Sequence, residues 1–411
     1  AHYQASGLPT RRVEAWRYTN LNHLVEAGFR PAVGRHRPAV GAIPPAALPI
    51  DAHRIAFVQG RFEPQLSSRT KLPAGVEVFG LADALARDAR ALEPYLGRIA
   101  ELDGMPLAAL NTAFLSDGLV LRVADGVRLE RPLHVVSLGV GADESTVFQP
   151  RHLILLGAGA EATLIESHVG LDAGPYFSNA VTEIDLGPWA SLSHYRLQRE
   201  GAAATHIAAT VVRLAEASRY DGLALQAGGA LGRDEVRVAI VGQGADCRLG
   251  GIYMASGRQL VDNVTLVDHA APGSRSRQTF KGVLDGEARG VFQGKILVRP
   301  QAQKTDGHQL SRGLLLSPRA EIDTKPELEI YADDVKCSHG AATGALDEDA
   351  IFYLRSRGIE PDEARRMLIE AFVGEVVDGI PSTAIREAFG TVVGELLDRA
   401  GEAGLVTSRE T

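Results

Sequence analysis

The chain has 411 residues, a formal net charge of −8 and 45% hydrophobic residues, enough for two or three domains with a sizeable core. The acidic balance argues against non-specific nucleic-acid binding, which needs a basic footprint. Two cysteines, Cys247 and Cys337, are too few for a disulfide-stapled secreted fold or a Cys-rich zinc site.

No apolar run reaches the roughly 18 residues of a membrane span. The opening Ala1-His2-Tyr3-Gln4 lacks the charged-then-apolar layout of a signal peptide, so a cytoplasmic protein is expected. In chain order, residues 1–110 mix short helical signals with Pro- and Gly-rich joints such as Gly41-Ala-Ile-Pro-Pro45. Leu81, Ala84, Leu85, Ala89 and Leu92 recur at helical spacing, and a mostly helical N-terminal domain is expected there.

From 111 to 345 short β-rich runs alternate with Gly, Asp and Ser turns. Leu119-Val-Leu-Arg-Val123, His152-Leu-Ile-Leu-Leu156, Glu235-Val-Arg-Val-Ala-Ile-Val241 and Ile296-Leu-Val298 are examples, and no helical period interrupts them. Ala160, Ala190, Ala217 and Ala245 recur at turns with spacings of 30, 27 and 28 residues; Ala288 and Ala320 follow less regularly. A fixed period in an all-β stretch points to a solenoid, because each coil buries its inner face only by stacking on the next. The small residue then marks a sharp corner. A β-sandwich with evenly spaced hairpins is the plainer alternative.

The tail, 346–411, returns to helix. Asp347 is placed to cap a helix whose face is Ala350, Ile351 and Leu354, with Gly358 past its end. Pro361 suits the first position of the next helix, whose apolar face reads Ala364, Met367, Leu368, Ala371 and Phe372. After Pro381 a last helix carries Ile385, Phe389, Val392, Val393 and Leu396. This bundle is expected to cover the end of the solenoid.

Candidate chemistry is sparse. In Asp333-Asp-Val-Lys-Cys-Ser-His-Gly340, Cys337 and His339 are two apart and leave a strand on the same face. A thiolate and an imidazole there suit a soft metal ion, but two ligands do not close a site, so the remainder must come from another chain or from distant residues. The plainer reading, a buried apolar Cys337 and a turn-forming His339, is favoured by spacing alone. Cys247 reads as core, and His308 as part of an exposed turn. Gly157-Ala-Gly-Ala-Glu-Ala162 lacks the following helix that a dinucleotide fingerprint requires. No phosphate loop or nucleophile elbow occurs, so any ATP hydrolysis must belong to a partner.

Several stretches together resemble the SufB/SufD family of iron–sulfur cluster assembly proteins. They are Glu14-Ala-Trp-Arg-Tyr-Thr19, Gln303-Lys-Thr-Asp306, Asp323-Thr-Lys-Pro-Glu-Leu-Glu-Ile330, Asp333 to Ala341 and Ile351-Phe-Tyr-Leu-Arg-Ser-Arg-Gly-Ile359. Gly340 stands where SufB-like chains carry Glu, and Ser311 where they carry a cysteine, which places the resemblance on the SufD side. It implies a right-handed parallel β-helix over 111–345 flanked by helical N- and C-terminal domains. It also implies a non-catalytic scaffold that pairs with SufB through the β-helix and binds the SufC ATPase through the C-terminal helices. Phe352, Tyr353, Arg355, Arg357, Arg365 and Glu370 are then candidate SufC contacts. His339, with Cys337, is the candidate holder of a transient iron–sulfur cluster at the SufB–SufD boundary. Reduced flavin is associated with such complexes, and unpaired β-helix edges would allow a homodimer when SufB is missing. The rivals are a SufB-type subunit, a β-helical polysaccharide lyase or hydrolase, and a purely structural solenoid.

Overall fold

A computed structural model describes residues 3, 7–32, 43–68, 71–101, 104–141 and 145–402. Ala1, His2 and Gln4 of the opening, Gly41 and Ala42 of the Pro- and Gly-rich joint, and the tail from 403 to 411 lie outside them.

The chain alternates between two sheets. The first contains Leu119–Val123, Arg151–Leu156, Tyr176–Leu186, Thr205–Leu214, Leu231–Ile240, Leu260–His269, Arg289–Val298 and Glu321–Ile330. The second contains His53–Val58, Leu133–Gly139, Glu161–Gly170, Ser191–Arg199, Arg219–Gln226, Asp246–Ala255, Arg275–Leu284, Asp306–Leu315 and Lys336–Gly344. Along 151–344 strands pair in parallel with those one coil away. Parallel pairing needs a long crossover, and here the crossover is the strand of the opposite sheet. The protein is a mainly β, parallel solenoid of about eight turns with helices at both ends.

The corners from first to second sheet share one construction. A residue with positive φ (Gly159, Trp189, Ala217, Gly244, Gly273, Lys304) precedes a small residue buried in the lumen wall (Ala160, Ala190, Ser218, Ala245, Ser274, Thr305). The left-handed residue aims its N–H along the solenoid axis at a carbonyl one coil on. These rungs run from Gly159 N to Pro188 O at 2.8 Å, Trp189 N to Glu216 O at 2.8 Å, and so on to Lys304 N to Asp334 O at 2.6 Å. The sequence period is therefore real but needs two corrections. Ser218, not Ala217, is the buried small residue of its corner, because Ala217 itself adopts the left-handed conformation. Ala288 and Ala320 lie at the opposite corners, from second sheet to first, which is why their phase slips.

The N-terminal third is less helical than its pattern suggests. It contains α1 (Asn22–Glu26), α2 (Leu81–Asp88) and α3 (Pro106–Ala113), but also strands that seal one end of the solenoid. His53–Val58 adds in parallel to Leu133–Gly139 and is hairpinned to Arg61–Phe62, while Val76–Gly80 runs antiparallel to Leu119–Val123. These short, β-branched and aromatic runs find a free sheet edge, and that outweighs any local helical preference. Residues 14–19 lie across the outer face of the first sheet. The Trp16 ring stacks on the Arg233 guanidinium at 3.8 Å, and Arg233 pairs with Asp262. Thr19 donates to Asp262 at 2.5 Å, Gln293 to the Ala15 carbonyl at 3.3 Å, and Lys325 to Glu14 at 2.5 Å.

The C-terminal helices are α4 (Glu348–Ser356), α5 (Pro361–Val377) and α6 (Thr383–Glu402). Asp347 accepts from the Asp349 and Ala350 amides, and Gly358 has φ +85°, as the capping pattern requires. The face of α5 differs from the expected one. Ala364, Ile369, Val373, Val376 and Val377 are buried, whereas Met367 and Ala371 are exposed and Leu368 and Phe372 half-buried. The bundle also covers a side of the solenoid instead of its end. α5 and α6 pack on the outer face of the second sheet, against Leu223, Leu225, Ile252 and Val283. Lys281, only 2% exposed, rises from that face. It donates to the Phe372 carbonyl at 2.5 Å and pairs with Glu375.

Candidate functional site

Because the helices lie along the side and the N-terminal strands cap the other end, the last coil is open. Glu321–Ile330 and Lys336–Gly344 are the terminal strands of the two sheets, and neither has a further strand on its outer edge among the described residues. Ile330 and Tyr331 at the corner are exposed. Two unpaired, roughly ten-residue strand edges are a template for pairing with another chain.

Cys337 and His339 sit on this last strand. Their register partners are Gly307 and Gln309, both inward positions, so both side chains leave the sheet on the lumenal side. Cys337 is half-buried and packs with Ile296, Val298 and Leu328. Burial pushes its thiol up from the ordinary value, so a metal ion must displace a proton to bind it. His339 is exposed. Ser338 between them faces outward and meets His308 Nδ1 at 2.6 Å. His308 belongs to a strand and not to the expected turn, and its Nε2 lies 2.6 Å from Asp306. Cys247 is fully buried and its thiol raised by burial, as a core residue should be. It lies in the same inward column as Cys337, through Ser276 and Gly307. Among the described residues no group of three or more His, Cys, Asp and Glu could hold a metal ion. Cys337 and His339 thus offer an incomplete ligand pair at an open edge.

The remaining candidates divide. On α4, Phe352 is 74% and Tyr353 56% exposed; Arg355 and Arg357 are also exposed, with Arg357 over the Tyr353 ring at 4.7 Å. On α5, Arg365 and Glu370 are half-buried, and Glu370 is engaged by Arg366 at 3.0 Å. Met367 on α5 is also exposed, at 39%, where the spacing puts it on the packed face.

The sequence gives no direct sign of the polar groups in the middle of the lumen. Glu166 Oε1 lies 2.9 Å from His194 Nε2, and Oε2 lies 3.2 Å from His168 Nε2. Arg196 pairs with Asp234 at 2.5 Å, and His206 with Glu200 at 2.9 Å. Burial pushes the Glu166 carboxyl up, but the hydrogen bonds from His168 and His194 outweigh it and hold the group well below the usual range. Burial opposes the charge on Glu200 too, yet His206 brings it down to about 2, and Glu200 in turn raises His206. Glu166 and His194 are 28 residues apart and Arg196 and Asp234 are 38 apart, so a known inward register is needed to bring them together, and the nearer pairs stand out only once their side chains are seen to share the lumen.

Comparison with known proteins gives one answer over most of the chain. Residues 139–372 match the model of the SUF system FeS cluster assembly SufBD core domain, and residues 1–135 that of the SufBD protein N-terminal region. An iron–sulfur cluster assembly SufBD family protein of Synechocystis sp. is 35% identical over 390 residues, covering 92% of this chain and 85% of its own. The iron–sulfur cluster assembly protein SufD of Escherichia coli is 33% identical over 400 residues, covering 95% and 90%. The chloroplastic protein ABCI7 of Arabidopsis thaliana is 36% identical over 288 residues, covering 68% and 60%. No helix among the described residues is long and apolar enough to cross a membrane.

Proposed function

From the premise that the chain belongs to the SufBD family of iron–sulfur cluster assembly proteins and is SufD-like, we propose that it is a non-catalytic scaffold subunit pairing through its open last coil with a SufB-type sister. The observation that carries this reading is the pair Cys337 and His339 on the lumenal face of an unpaired terminal strand. A sister solenoid that continues the sheets brings its own side chains to the same seam. The ligand set for a nascent cluster is then completed across the boundary, with His339 exposed to receive iron and Cys337 beside it. ATP hydrolysis belongs to a SufC-type partner seated on α4, where Phe352 and Tyr353 present exposed apolar surface.

The test is anaerobic co-purification with SufB- and SufC-type partners, followed by iron and sulfide analysis. His339→Ala is expected to leave the complex assembled but without acid-labile sulfide. Phe352→Ala with Tyr353→Ala is expected to lose the ATPase and keep the sister subunit. Normal cluster yield from His339→Ala removes that residue from the mechanism, and an assembled ATPase on the double variant moves its seat elsewhere.

A further inference from the structure

Behind His339 the lumen contains a buried amide. Gln309 is 3% exposed, and neither its Nε2 nor its Oε1 has a hydrogen-bond partner among the described residues. Behind it in the same inward column lies Gln278, 2% exposed, whose Oε1 accepts from Thr265 at 2.6 Å while its Nε2 is unpartnered. Across the lumen, Gly294 leaves the space that the amide occupies: a Cβ there would fall 1.4 Å from Gln309 Nε2. Gln309 is the register partner of His339, one strand in from the open edge, so the two side chains leave neighbouring strands on the same side, about 4.8 Å apart at the backbone.

An orphaned buried amide costs stability, by roughly 1–3 kcal/mol per unsatisfied group. A leucine of similar size would be cheaper in a lumen that Ile296, Phe292 and Leu284 also line. Polar groups held unpaired in this way need an explanation, and stability is commonly forgone where a group is kept for a ligand. Imidazoles that bind metals are held by a hydrogen bond to their second nitrogen, which fixes tautomer and ring direction. Gln309 is the uncharged group placed to supply it, and as an amide it can do so with either its oxygen or its nitrogen.

We infer that Gln309, backed by Gln278, is a positioning residue for His339, its amide kept free to hydrogen-bond the imidazole once a metal ion is bound at the seam. The inference rests on the proposed seam. It is tested in the full complex with the sister subunit by anaerobic titration with Co2+ alone, followed through the d–d absorption bands.

Gln309→Leu is expected to weaken Co2+ binding about 10–100-fold, the usual effect of losing such a support, while the chain's thermal midpoint stays the same or rises. Gln309→Asn keeps the polarity but withdraws the amide by one methylene, and is expected to show the same loss. Unchanged affinity and an unchanged spectrum in both variants overturn the inference. So does a lowered midpoint with unchanged affinity, since that marks the amide as structural. His339→Ala run in parallel separates the two levels. If it too leaves Co2+ binding intact, the seam reading fails and the positioning role falls with it; if it abolishes binding while both Gln309 variants bind normally, only the positioning role fails.

Discussion

Asp262 provides the sharpest test of how residues 14–19 are held. It is fully buried, as is Arg233 beside it. One carboxylate oxygen takes Arg233 Nη1 and the Thr19 hydroxyl, and the other takes Gln293 Nε2 at 3.3 Å. In Asp262→Ala the guanidinium remains under Trp16, and among the described residues Glu235, at 3.5 Å, is the carboxylate left to pair with it. Breaking a buried pair from one side costs about 3–5 kcal/mol, because the surviving charge is left uncompensated. When the segment lifts off, Arg233 regains water, so nearly the whole penalty falls on the docked state. A loss of about 4 kcal/mol corresponds to roughly a thousandfold rise in the lifted population. Arg11, Arg12 and Arg17 are exposed in or beside the segment, so trypsin reads that population directly under conditions where opening is fast relative to cleavage. Cleavage there should accelerate by two to three orders of magnitude, roughly, with the coils intact. Arg233→Met combined with Asp262→Leu should return close to wild type, since apolar replacement of a whole buried pair is often neutral. A single variant cleaved within about fivefold of wild type, a change of only about 1 kcal/mol, would refute the reasoning, as would a double variant cleaved as fast as the single one.

Trp189 holds φ +57° and is 61% exposed, and a left-handed bulky residue costs about 1–2 kcal/mol. Trp189→Gly should therefore stabilise the chain by about 0.5–1 kcal/mol after the glycine's extra unfolded entropy is set against it, readable as a raised thermal midpoint; a lowered midpoint shows that the ring contributes contacts. Stability should also pass through a maximum near pH 6.5. His206 is raised above its ordinary 6.5 by Glu200, against burial, so its contribution is complete below 6.5 and is lost as pH climbs through the raised value. His134 and His152, pushed down to about 4 chiefly by burial, take up protons more readily when unfolded, so stability falls as pH drops from 6.5 to 4. His206→Asn should remove the alkaline decline in thermal midpoint and keep the acid one; an unchanged alkaline limb assigns the decline to other groups.

What could be read from the sequence followed the range over which each feature is encoded. The corners are local: a turn and one small residue repeat at nearly constant spacing, so the solenoid is legible even though Ala217 is one position off. The face of α5 is not, because Met367, Leu368, Ile369, Ala371, Phe372 and Val373 put apolar groups on more than one side of the helix. Docking onto Lys281 and the second sheet, which local spacing does not encode, chooses Ile369 and Val373. The same holds for the N-terminal strands, which are too short to declare themselves until a sheet edge is present. Alternation alone puts Cys337 and His339 on one face of a strand, but their position at an open end depends on where the helical bundle goes. Gln309 carries no signal of its own; it stands out only once the register with His339 is known.

The contact between Glu14 and Lys325 joins residues 311 positions apart. During synthesis at roughly 5–20 residues per second, the interval between their emergence is about 15–60 s, far longer than hairpin formation or local collapse. The aromatic segment around Trp16 is thus made well before its seat, because the strands that receive it do not yet exist when it emerges. Throughout that wait its apolar surface is open to chaperones and proteases, and its docking reports that the coils from 231 to 330 are complete.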